Sequence, residues 1–276
     1  MAMHKTLLIT GVSSGFGQAL AQEALAAGHT VIGTARSQQG KEAFEALSAN
    51  AHGRLLDVTD FAAMTDLVDE IEATVGGIDV LVNNAGYGHE GVMEESSLAE
   101  MKHQFDVNVF GAVALIKAVL PHMRQRKRGH IINITSIGGH VASPGIAYYC
   151  GSKFALEGIS ESLSKELRPL GIAVTAVAPG SFRTDWAGRS MVRTPRSIAA
   201  YDDSFDPIRN GRLERDGQQP GNPSKAALAI LALIDAEEAP AHLFLGSDAI
   251  QRAKAKAGAL LAEIEEWEAL SRSTDG

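Results

Sequence analysis

The feature that most constrains this chain is a glycine-rich turn near its start, Thr10-Gly11-Val12-Ser13-Ser14-Gly15-Phe16-Gly17. The turn follows an apolar run and precedes an alanine-rich helical pattern, so it joins a strand to a helix. Its three glycines allow a sharp bend and bring backbone N–H groups to a helix N-terminus, where free donors and the helix dipole favour phosphate groups. Taken alone, the turn fits either a nucleotide-binding site or a purely steric connection.

The composition is that of a soluble enzyme of ordinary size. The 276 residues are 45% hydrophobic, enough for the core of a single α/β domain. A net charge of −8 argues against nucleic acid or an anionic membrane as a partner and favours a small-molecule substrate. There is no signal-peptide pattern, and the apolar run Ala226–Ile234 is too short to span a bilayer, so we expect a cytoplasmic protein. The single cysteine, Cys150, excludes an internal disulfide, and the histidines lack metal-site spacing, so no metal site is predicted.

Short apolar runs alternate with longer helical patterns, which indicates βαβ units and a doubly wound parallel sheet covered on both faces. Seven strands are predicted, at Thr6–Thr10, Thr30–Ala35, Gly53–Val58, Ile78–Asn83, His130–Thr135, Ile172–Ala178 and His242–Leu245. Helices are predicted at Gly15–Ala27, Lys41–Ala49, Phe61–Thr74, Leu98–Arg126, Tyr148–Leu170, Ser224–Ala236 and about 247–271. Gly28 and Gly171 follow two of these helices, where a left-handed residue commonly ends a helix. The predicted fold class is therefore α/β, with one domain over residues 1–276.

One segment, at about 187–223, interrupts this alternation with only a weak helical pattern. Loops of this length in a compact domain are often lids. Its arginines alone would suggest an anion site, but the acidic residues of the segment nearly balance their positive charge. The charged residues are Arg189, Arg193, Arg196, Arg209, Arg212 and Arg215, with Asp202, Asp203, Asp206, Glu214 and Asp216. We predict a solvated lid of mixed charge.

A tyrosine and a lysine four residues apart, Tyr149 and Lys153, begin a helical pattern and therefore share one helix face. A free phenol titrates near pH 10, and a nearby ammonium lowers that pKa. A shift of about three units requires roughly 4 kcal/mol, which one close cation in a partly dry cleft can largely supply. Tyr149 is thus a candidate general acid and base, although such pairs more often only pack. Tyr148 lies on a different face from Lys153 and cannot replace Tyr149.

Polar or turn-forming residues end several neighbouring strands of the predicted sheet. They are Ser136, located 13 residues before Tyr149, the Asn83-Asn84-Ala85-Gly86 turn, and Pro179-Gly180. Asn108 lies within the long helix that follows the NNAG turn. Because open α/β sheets bind ligands at the carboxyl ends of their strands, we expect these residues to face one crevice.

In these motifs the chain resembles the short-chain dehydrogenase/reductase family over nearly its whole length. The glycine turn matches that family's TGxxxGxG cofactor motif, Asn83 to Gly86 its NNAG, Tyr149 to Lys153 its YxxxK, and Pro179-Gly180 its PG motif. Within the family, the pattern is most similar to 17β-hydroxysteroid and retinol dehydrogenases. The resemblance implies a Rossmann fold, a lid that selects the substrate, and a homodimer or homotetramer in which Leu98–Arg126 and Tyr148–Leu170 pair with their copies.

The resemblance also implies roles for the matching residues. Tyr149 would protonate the substrate oxygen, Ser136 would hydrogen-bond that oxygen, Lys153 would hold the nicotinamide ribose and tune Tyr149, and Asn108 would position a water in a proton relay. These four are the predicted catalytic residues, and Ser136 and Tyr149 are also predicted to bind substrate. The predicted cofactor-binding residues are Gly11, Ser13, Ser14, Gly15, Phe16, Gly17, Arg36, Asp57, Val58, Asn83, Ala85, Gly86, Tyr149, Lys153, Pro179, Gly180 and Thr184. His89 and His140 lie near strand ends, although a lone histidine in a loop is more often solvated than a ligand.

The residue after the second strand predicts the choice of cofactor. An NAD site usually places an acidic side chain there to accept from the adenosine ribose hydroxyls. Thr30 to Gly40 contains no Asp or Glu, and Arg36 stands 19 residues after Gly17, where its guanidinium could grip a 2′-phosphate. Asp57 would meet the adenine ring. The prediction is a preference for NADP(H) over NAD(H).

We therefore predict an oxidoreductase that transfers hydride between NADP(H) and a carbonyl or secondary alcohol of a small, apolar substrate. The main alternative is a catalytically silent dinucleotide sensor on the same fold, which would be expected to have lost Tyr149, Lys153 or Ser136. A sugar epimerase or dehydratase of the same superfamily is a third class, and normally carries a larger C-terminal substrate domain.

Overall fold

A computed structural model describes residues 4–186 and 188–276. The strands are β1 (Thr6–Ile9), β2 (Thr30–Ala35), β3 (Ala51–Leu55), β4 (Val80–Asn83), β5 (Gly88–Glu90), β6 (Gly129–Ile134), β7 (Ile172–Pro179), β8 (Met191–Arg193) and β9 (His242–Leu245). The helices are α1 (Gly15–Ala26), α2 (Gln38–Glu45), α3 (Ala63–Thr74), α4 (Leu98–Phe105), α5 (Gly111–Arg126), α6 (Ala147–Leu167), α7 (Asp202–Glu214), α8 (Pro223–Ile234) and α9 (Ser247–Arg272). A π-helical turn, Asp106–Phe110, joins α4 to α5.

Seven parallel strands form the central sheet in the order β3-β2-β1-β4-β6-β7-β9. The chain direction across the sheet reverses between β1 and β4, and a crevice forms where the carboxyl ends of these strands meet. This arrangement confirms the predicted fold class, a doubly wound Rossmann-type α/β fold.

Alternate residues of the central strands divide the core into two layers. Leu7 and Ile9 of β1 face the layer beneath α1 and α8, whereas Leu8 faces the layer beneath α3 and α5. All three leucine and isoleucine side chains are fully buried, as expected for a strand covered on both faces. The sheet therefore supports the crevice from a rigid core on each side.

Several of the predicted elements have shifted boundaries, among them β3 and α2. Strand β3 begins at Ala51 and ends at Leu55, because it pairs in register with β2 from Val31↔Ala51 to Ala35↔Leu55. Asp57 therefore follows the strand instead of lying within it. Helix α2 begins three residues earlier than predicted, since the Ser37 side chain accepts a hydrogen bond from Gly40 N and caps the helix.

The predicted lid at 187–223 contains more regular structure than its sequence pattern indicated. Strand β8 pairs in parallel with β5, with Gly88 opposite Met191, and α7 follows it. Pro207 and Gly211 inside α7 weakened the helical pattern in the sequence. Residue 187, where the predicted lid begins, and residues 1–3 of the predicted domain lie outside the described residues.

One helical run among the described residues, Leu98–Arg126, is long and apolar enough to cross a bilayer. Its α5 part packs on the sheet, where Leu115, Ile116, Val119 and Met123 are buried. These contacts are those of a core helix in a folded domain.

Candidate active site

The glycine turn is held in shape by hydrogen bonds from the NNAG turn. Asn84 Nδ2 donates to Thr10 O at 2.8 Å and to Gly11 O at 3.1 Å. Thr10 Oγ1 accepts from the backbone N–H groups of Asn84 and Ala85, both at 2.9 Å. This role of Asn84 was not predicted, although its place in the NNAG motif could have indicated it.

The three glycines meet two different requirements. Gly11 and Gly15 have φ angles of +73° and +60°, in the left-handed region that favours glycine. A Cβ on Gly17 would lie 2.3 Å from Gly11 O and 2.4 Å from Asn84 Nδ2. Gly17 therefore lets α1 approach the turn closely and has a packing role, not a contact with the cleft.

The N-terminus of α1 is open toward this turn. Its N-cap residue, Ser14, has an extended backbone, and its side chain makes no capping hydrogen bond. The first-turn N–H groups of a helix need an acceptor, and the helix dipole favours a negative one. The uncapped terminus and the close glycine approach fit the pyrophosphate of a dinucleotide.

A cleft of about 800 Å³ runs along the carboxyl ends of the strands. Most of the predicted site residues line it, namely Gly11, Ser13, Ser14, Gly15, Phe16, Arg36, Asp57, Val58, Ala85, Gly86, Ser136, Tyr149, Lys153, Pro179, Gly180 and Thr184. The structure thus brings the glycine turn, the strand ends and the tyrosine–lysine pair together in one crevice.

Three predicted site residues do not line the cleft: Gly17, Asn83 and Asn108. Asn83 is buried within the sheet, where its Nδ2 donates to Asn133 Oδ1 at 2.9 Å. Its side chain supports neighbouring strands and does not reach the cleft.

Ser136 and Tyr149 converge on one point of the cleft. A Cβ added to Gly138 would lie 3.2 Å from Tyr149 Cε1 and 3.3 Å from Ser136 Oγ, so both side chains border the same small space. Ser136 Oγ accepts a hydrogen bond from Gly138 N at 2.9 Å. The hydroxyl hydrogen of Ser136 is therefore available for an acceptor in the cleft.

Burial controls the protonation of Tyr149. It raises the pKa of the phenol to about 12, against a smaller opposing effect of the nearby Ser136 hydroxyl. The prediction of a lowered pKa is wrong for this structure, because the cost of desolvating a phenolate dominates. The phenol accordingly holds its proton at neutral pH.

Lys153 lies on the same face of α6, with its Nζ 5.9 Å from the centre of the Tyr149 ring. Nζ donates to Ile134 O at 2.8 Å, which fixes the ammonium beside the end of β6. Burial lowers the lysine pKa to about 8, while the charge of Glu157 acts in the opposite direction. At pH 7 the ammonium is therefore still largely charged.

Asn108 lies in the π-helical turn between α4 and α5. Its Oδ1 accepts from Tyr87 N at 3.1 Å, and its Nδ2 donates to Tyr87 O at 3.2 Å and to Ser152 Oγ at 3.1 Å. π-Helical turns occur frequently at functional sites. Here the turn places a buried amide between the NNAG segment and α6.

The adenosine end of the cleft has a cation and no adjacent acid on β2. Arg36 is exposed and follows the last residue of β2, and Ser13 and Ser37 line the cleft beside it. Asp57 lies across the cleft and accepts from Thr59 N at 2.9 Å. That hydrogen bond is the main reason that the pKa of Asp57 is lowered.

The opposite end is lined by the first part of the lid and by Asp185 and Trp186, which precede it. Asp185, Trp186, Arg189, Ser190 and Val192 line the cleft, and the Trp186 ring packs on Tyr149 with centroids 5.1 Å apart. None of these five residues was predicted from the sequence, because the lid matched no motif.

The lid is anchored by a buried carboxylate rather than being simply solvated. Glu90 on β5 is 1% exposed and lies 3.0 Å from Arg193 Nε, 3.0 Å from Arg212 Nη1 and 3.6 Å from Arg209 Nε. Arg196 in turn contacts Glu95, Asp202 and Asp206. The prediction of a solvated mixed-charge lid is therefore wrong for these arginines, because each one is mostly buried and paired.

His89, Tyr148 and His140 do not line the cleft. His89 is buried and stacks on Tyr148, whose hydroxyl donates to Ser96 O at 2.9 Å, so the expectation of a solvated His89 is wrong. His140 and His242 each lie 3.1 Å from the carboxylate of Glu157, and the three ligand-type atoms are within 4.8 Å of one another. Both imidazoles lower the pKa of this largely buried carboxyl.

Comparisons with known proteins agree with this geometry. The family model described as short chain dehydrogenase matches residues 5–192. Oxidoreductase BOA17 of Botryotinia fuckeliana is 36% identical over 98% of this chain and 98% of its own length. Retinol dehydrogenase 8 of Homo sapiens is 35% identical over 87% of this chain and 80% of its own.

Solved structures of similar fold include a short-chain dehydrogenase. A short-chain dehydrogenase from Streptomyces avermitilis is 40% identical, with a TM-score of 0.92 over 99% of this chain and 98% of that one. ElxO with NADP bound is 27% identical, with a TM-score of 0.74 over 90% of this chain and 100% of that one.

Proposed function

Since the chain belongs to the short-chain dehydrogenase/reductase family and is an oxidoreductase of that family, we propose that it uses NADP(H) to interconvert a carbonyl and a secondary alcohol in a small, largely apolar substrate. The observation that carries the proposal is the convergence of Tyr149, Ser136 and Lys153 at one end of a cleft whose other end contains Arg36. The net charge of −8 supports a small-molecule substrate over nucleic acid or an anionic membrane. We propose separately that the protein is cytoplasmic.

In the reducing direction, Tyr149 donates its phenolic proton to the substrate oxygen. The Ser136 hydroxyl donates a hydrogen bond to the same oxygen, since the bond that it accepts from Gly138 N–H leaves its own O–H hydrogen free. Charge that develops on the oxygen is thus met by two fixed donors. NADPH, when bound along the cleft, supplies the hydride to the carbonyl carbon.

Lys153 and Asn108 support this proton transfer. The Lys153 ammonium is fixed by Ile134 O, leaving two of its three N–H donors for ribose hydroxyls. Asn108 holds the NNAG segment through Tyr87 and contacts α6 through Ser152. We assign Asn108 the proton-relay position implied by the family resemblance.

The preference for NADP(H) rests on charge at the adenosine end. Arg36 follows β2 directly, and residues 30–40 contain no carboxylate that would repel a 2′-phosphate. A charge-assisted hydrogen bond of roughly 1.5–3 kcal/mol corresponds to about a tenfold to hundredfold preference. The Ser13 and Ser37 hydroxyls, which also line this end, add neutral donors. The structurally similar protein ElxO has NADP bound in its structure, which supports a cofactor of the same class for this chain.

The test measures kcat/KM for NADPH and for NADH in the wild type and in Arg36→Asp, using any carbonyl that the wild type reduces. We expect a tenfold or greater preference for NADPH in the wild type and its loss or reversal in the variant. Arg189→Asp is the matched control, since it changes an exposed arginine at the lid end of the same cleft. Equal constants in the wild type, or an unchanged preference in Arg36→Asp, would refute the cofactor assignment.

The proposed apolar substrate is supported by the side chains of Tyr87, Trp186 and Val192, which line the cleft together with Ser136 and Tyr149. A panel of ring ketones, aldehydes and 3-oxoacyl esters, each followed by NADPH absorbance, tests this class. Binding of NADPH with no consumption across the panel would favour the silent-sensor alternative.

A further inference from the structure

Helix α9 projects from the body of the protein. Every residue from 254 to 276 is exposed, and buried contacts are confined to the first turns of the helix. The projecting part, from Lys254 to Arg272, is about 28 Å long at 1.5 Å per residue. Helices in proteins owe most of their stability to packing of an apolar face, so a helix of this kind needs a partner.

An apolar stripe runs along α9 with alternating spacings of three and four residues. Its members are Ile250, Ala253, Ala257, Leu260, Ile264 and Trp267. This is the a/d pattern of a coiled coil, in which the stripe packs against a second helix. Leu260 is 47% exposed, and Ile264 and Trp267 are each 56% exposed, so the stripe faces solvent in the isolated chain.

The charges of α9 divide between its two halves. Arg252, Lys254 and Lys256 make the first half basic, whereas Glu263, Glu265, Glu266 and Glu268 make the second half acidic. An antiparallel copy would place each basic half against an acidic half, so the charges of the two helices are complementary in that orientation.

We propose that α9 pairs with α9 of a second copy of this chain in an antiparallel coiled coil. One register matches every member of the stripe, with Ile250 opposite Trp267 of the second copy, Ala253 opposite Ile264, and Ala257 opposite Leu260. At the two inner levels a small residue, Ala253 or Ala257, faces a large one, and at the outer level Ile250 packs against the Trp267 ring. The helices cross between Gly258 and Ala259, where the small side chains allow close approach.

This register also pairs the charges. Lys256 flanks the stripe on the same side as Glu263, and antiparallel packing brings it beside Glu263 of the second copy, twice per dimer. In a parallel pair Lys256 would instead lie beside Leu261 of the second copy, and Glu263 beside Glu268, so this ion pair would not form. The proposal is independent of the reaction catalysed, because α9 beyond Asp248 does not line the cleft.

Disulfide trapping tests the orientation. In a Cys150→Ala background, the double variant Ala253→Cys/Ile264→Cys places two thiols 11 residues apart, about 16 Å along one helix. That distance exceeds the reach of a disulfide, so only bonds between copies can form. We expect covalent dimers from the double variant under mild oxidation and none from either single-cysteine variant. Dimers from the single variants would indicate parallel packing, and no dimer from the double variant would overturn the proposal.

Charge reversal tests the complementarity. Lys254→Glu/Lys256→Glu should halve the mass measured by light scattering at micromolar concentration, while turnover per chain stays unchanged. Adding Glu263→Lys/Glu265→Lys in the same chain should restore the original mass. Lys225→Glu, an exposed lysine on α8, is the control. An unchanged mass in the first variant, or no recovery in the quadruple variant, would contradict antiparallel pairing.

Discussion

At the scale of single residues, burial decides which groups are charged. Tyr149 and Lys153 are both buried, and burial favours the neutral form of each, raising one pKa to about 12 and lowering the other to about 8. At pH 7 this leaves a protonated phenol beside an ammonium that is still largely charged. The pair is therefore prepared to donate a proton in the reducing direction.

His130 on β6 gives a residue-scale prediction about pH. Burial, with a smaller effect of Lys5, lowers its pKa to about 4 from the ordinary value of 6.5. The folded protein therefore takes up this proton less readily than the unfolded chain, and stability falls as pH drops from 6.5 toward 4. The effect amounts to about 3 kcal/mol at most, at 1.36 kcal/mol per unit.

Urea unfolding at several pH values checks this expectation in the wild type and in His130→Gln, which can retain a hydrogen bond to Thr175 Oγ1. The variant should lose less unfolding free energy between pH 6.5 and pH 4 than the wild type does. His52→Gln, at a partly exposed position on β3, is the control. Identical pH slopes in wild type and His130→Gln would show that this histidine does not control the acid response.

At the scale of elements, the approach of α1 to the glycine turn depends on one missing side chain. A Cβ on Gly17 would meet a backbone oxygen at 2.3 Å, which cannot move aside as a flexible side chain could. We expect Gly17→Ala to weaken NADPH binding at least tenfold and to lower the melting temperature. Gly211→Ala on α7 is the matched control, because its Cβ would meet only the far end of the Arg215 side chain, at 3.2 Å, and alanine favours a helix more than glycine does. NADPH binding that is unchanged in Gly17→Ala would disprove the packing argument.

The lid helix α7 is held to β5 through Glu90. Replacing a buried carboxylate that faces several cations leaves them uncompensated, and we expect Glu90→Gln to cost on the order of 2–3 kcal/mol. The loss should fall on the lid, so hydrogen exchange of α7 amides should accelerate strongly while the amides of β1 and β4 stay protected. Glu161→Gln, which breaks an exposed pair with Lys165, should have little effect. Equal exchange of α7 in both variants would contradict this anchoring role.

These elements also show what the sequence could and could not reveal. The central strands were predictable because they are buried on both faces and leave continuous apolar runs, and the tyrosine–lysine pair because its spacing matches one helix face. The partners of Glu90 were not predictable, since Arg212 lies 122 residues away and nothing local pairs them. The raised pKa of Tyr149 was missed for the same reason, because desolvation depends on how deeply the folded chain buries the ring.

At the scale of the whole molecule, assembly through α5 and α6 stays a prediction. An outer groove on α6 is lined by Phe154, Ala155, Gly158, Ile159, Ser162, Leu163 and Glu166. Phe154 is exposed within this groove, so pairing with the same helix of a second copy would cover it. We expect Phe154→Glu to reduce the mass in light scattering while leaving α9 disulfide trapping intact. A wild-type protein that is monomeric at micromolar concentration would contradict this interface.

A comparison of the wild type with Tyr149→Phe tests directly whether this phenol is the proton donor. Turnover is followed by NADPH absorbance with a carbonyl that the wild type reduces, and NADPH binding is followed by fluorescence. The substitution removes only the phenolic hydroxyl, so the fold and NADPH affinity should be nearly unchanged. Turnover should fall by a factor on the order of a hundred or more, since general acid catalysis typically contributes that much. Turnover near the wild-type rate in Tyr149→Phe would contradict the assignment of this phenol as the proton donor.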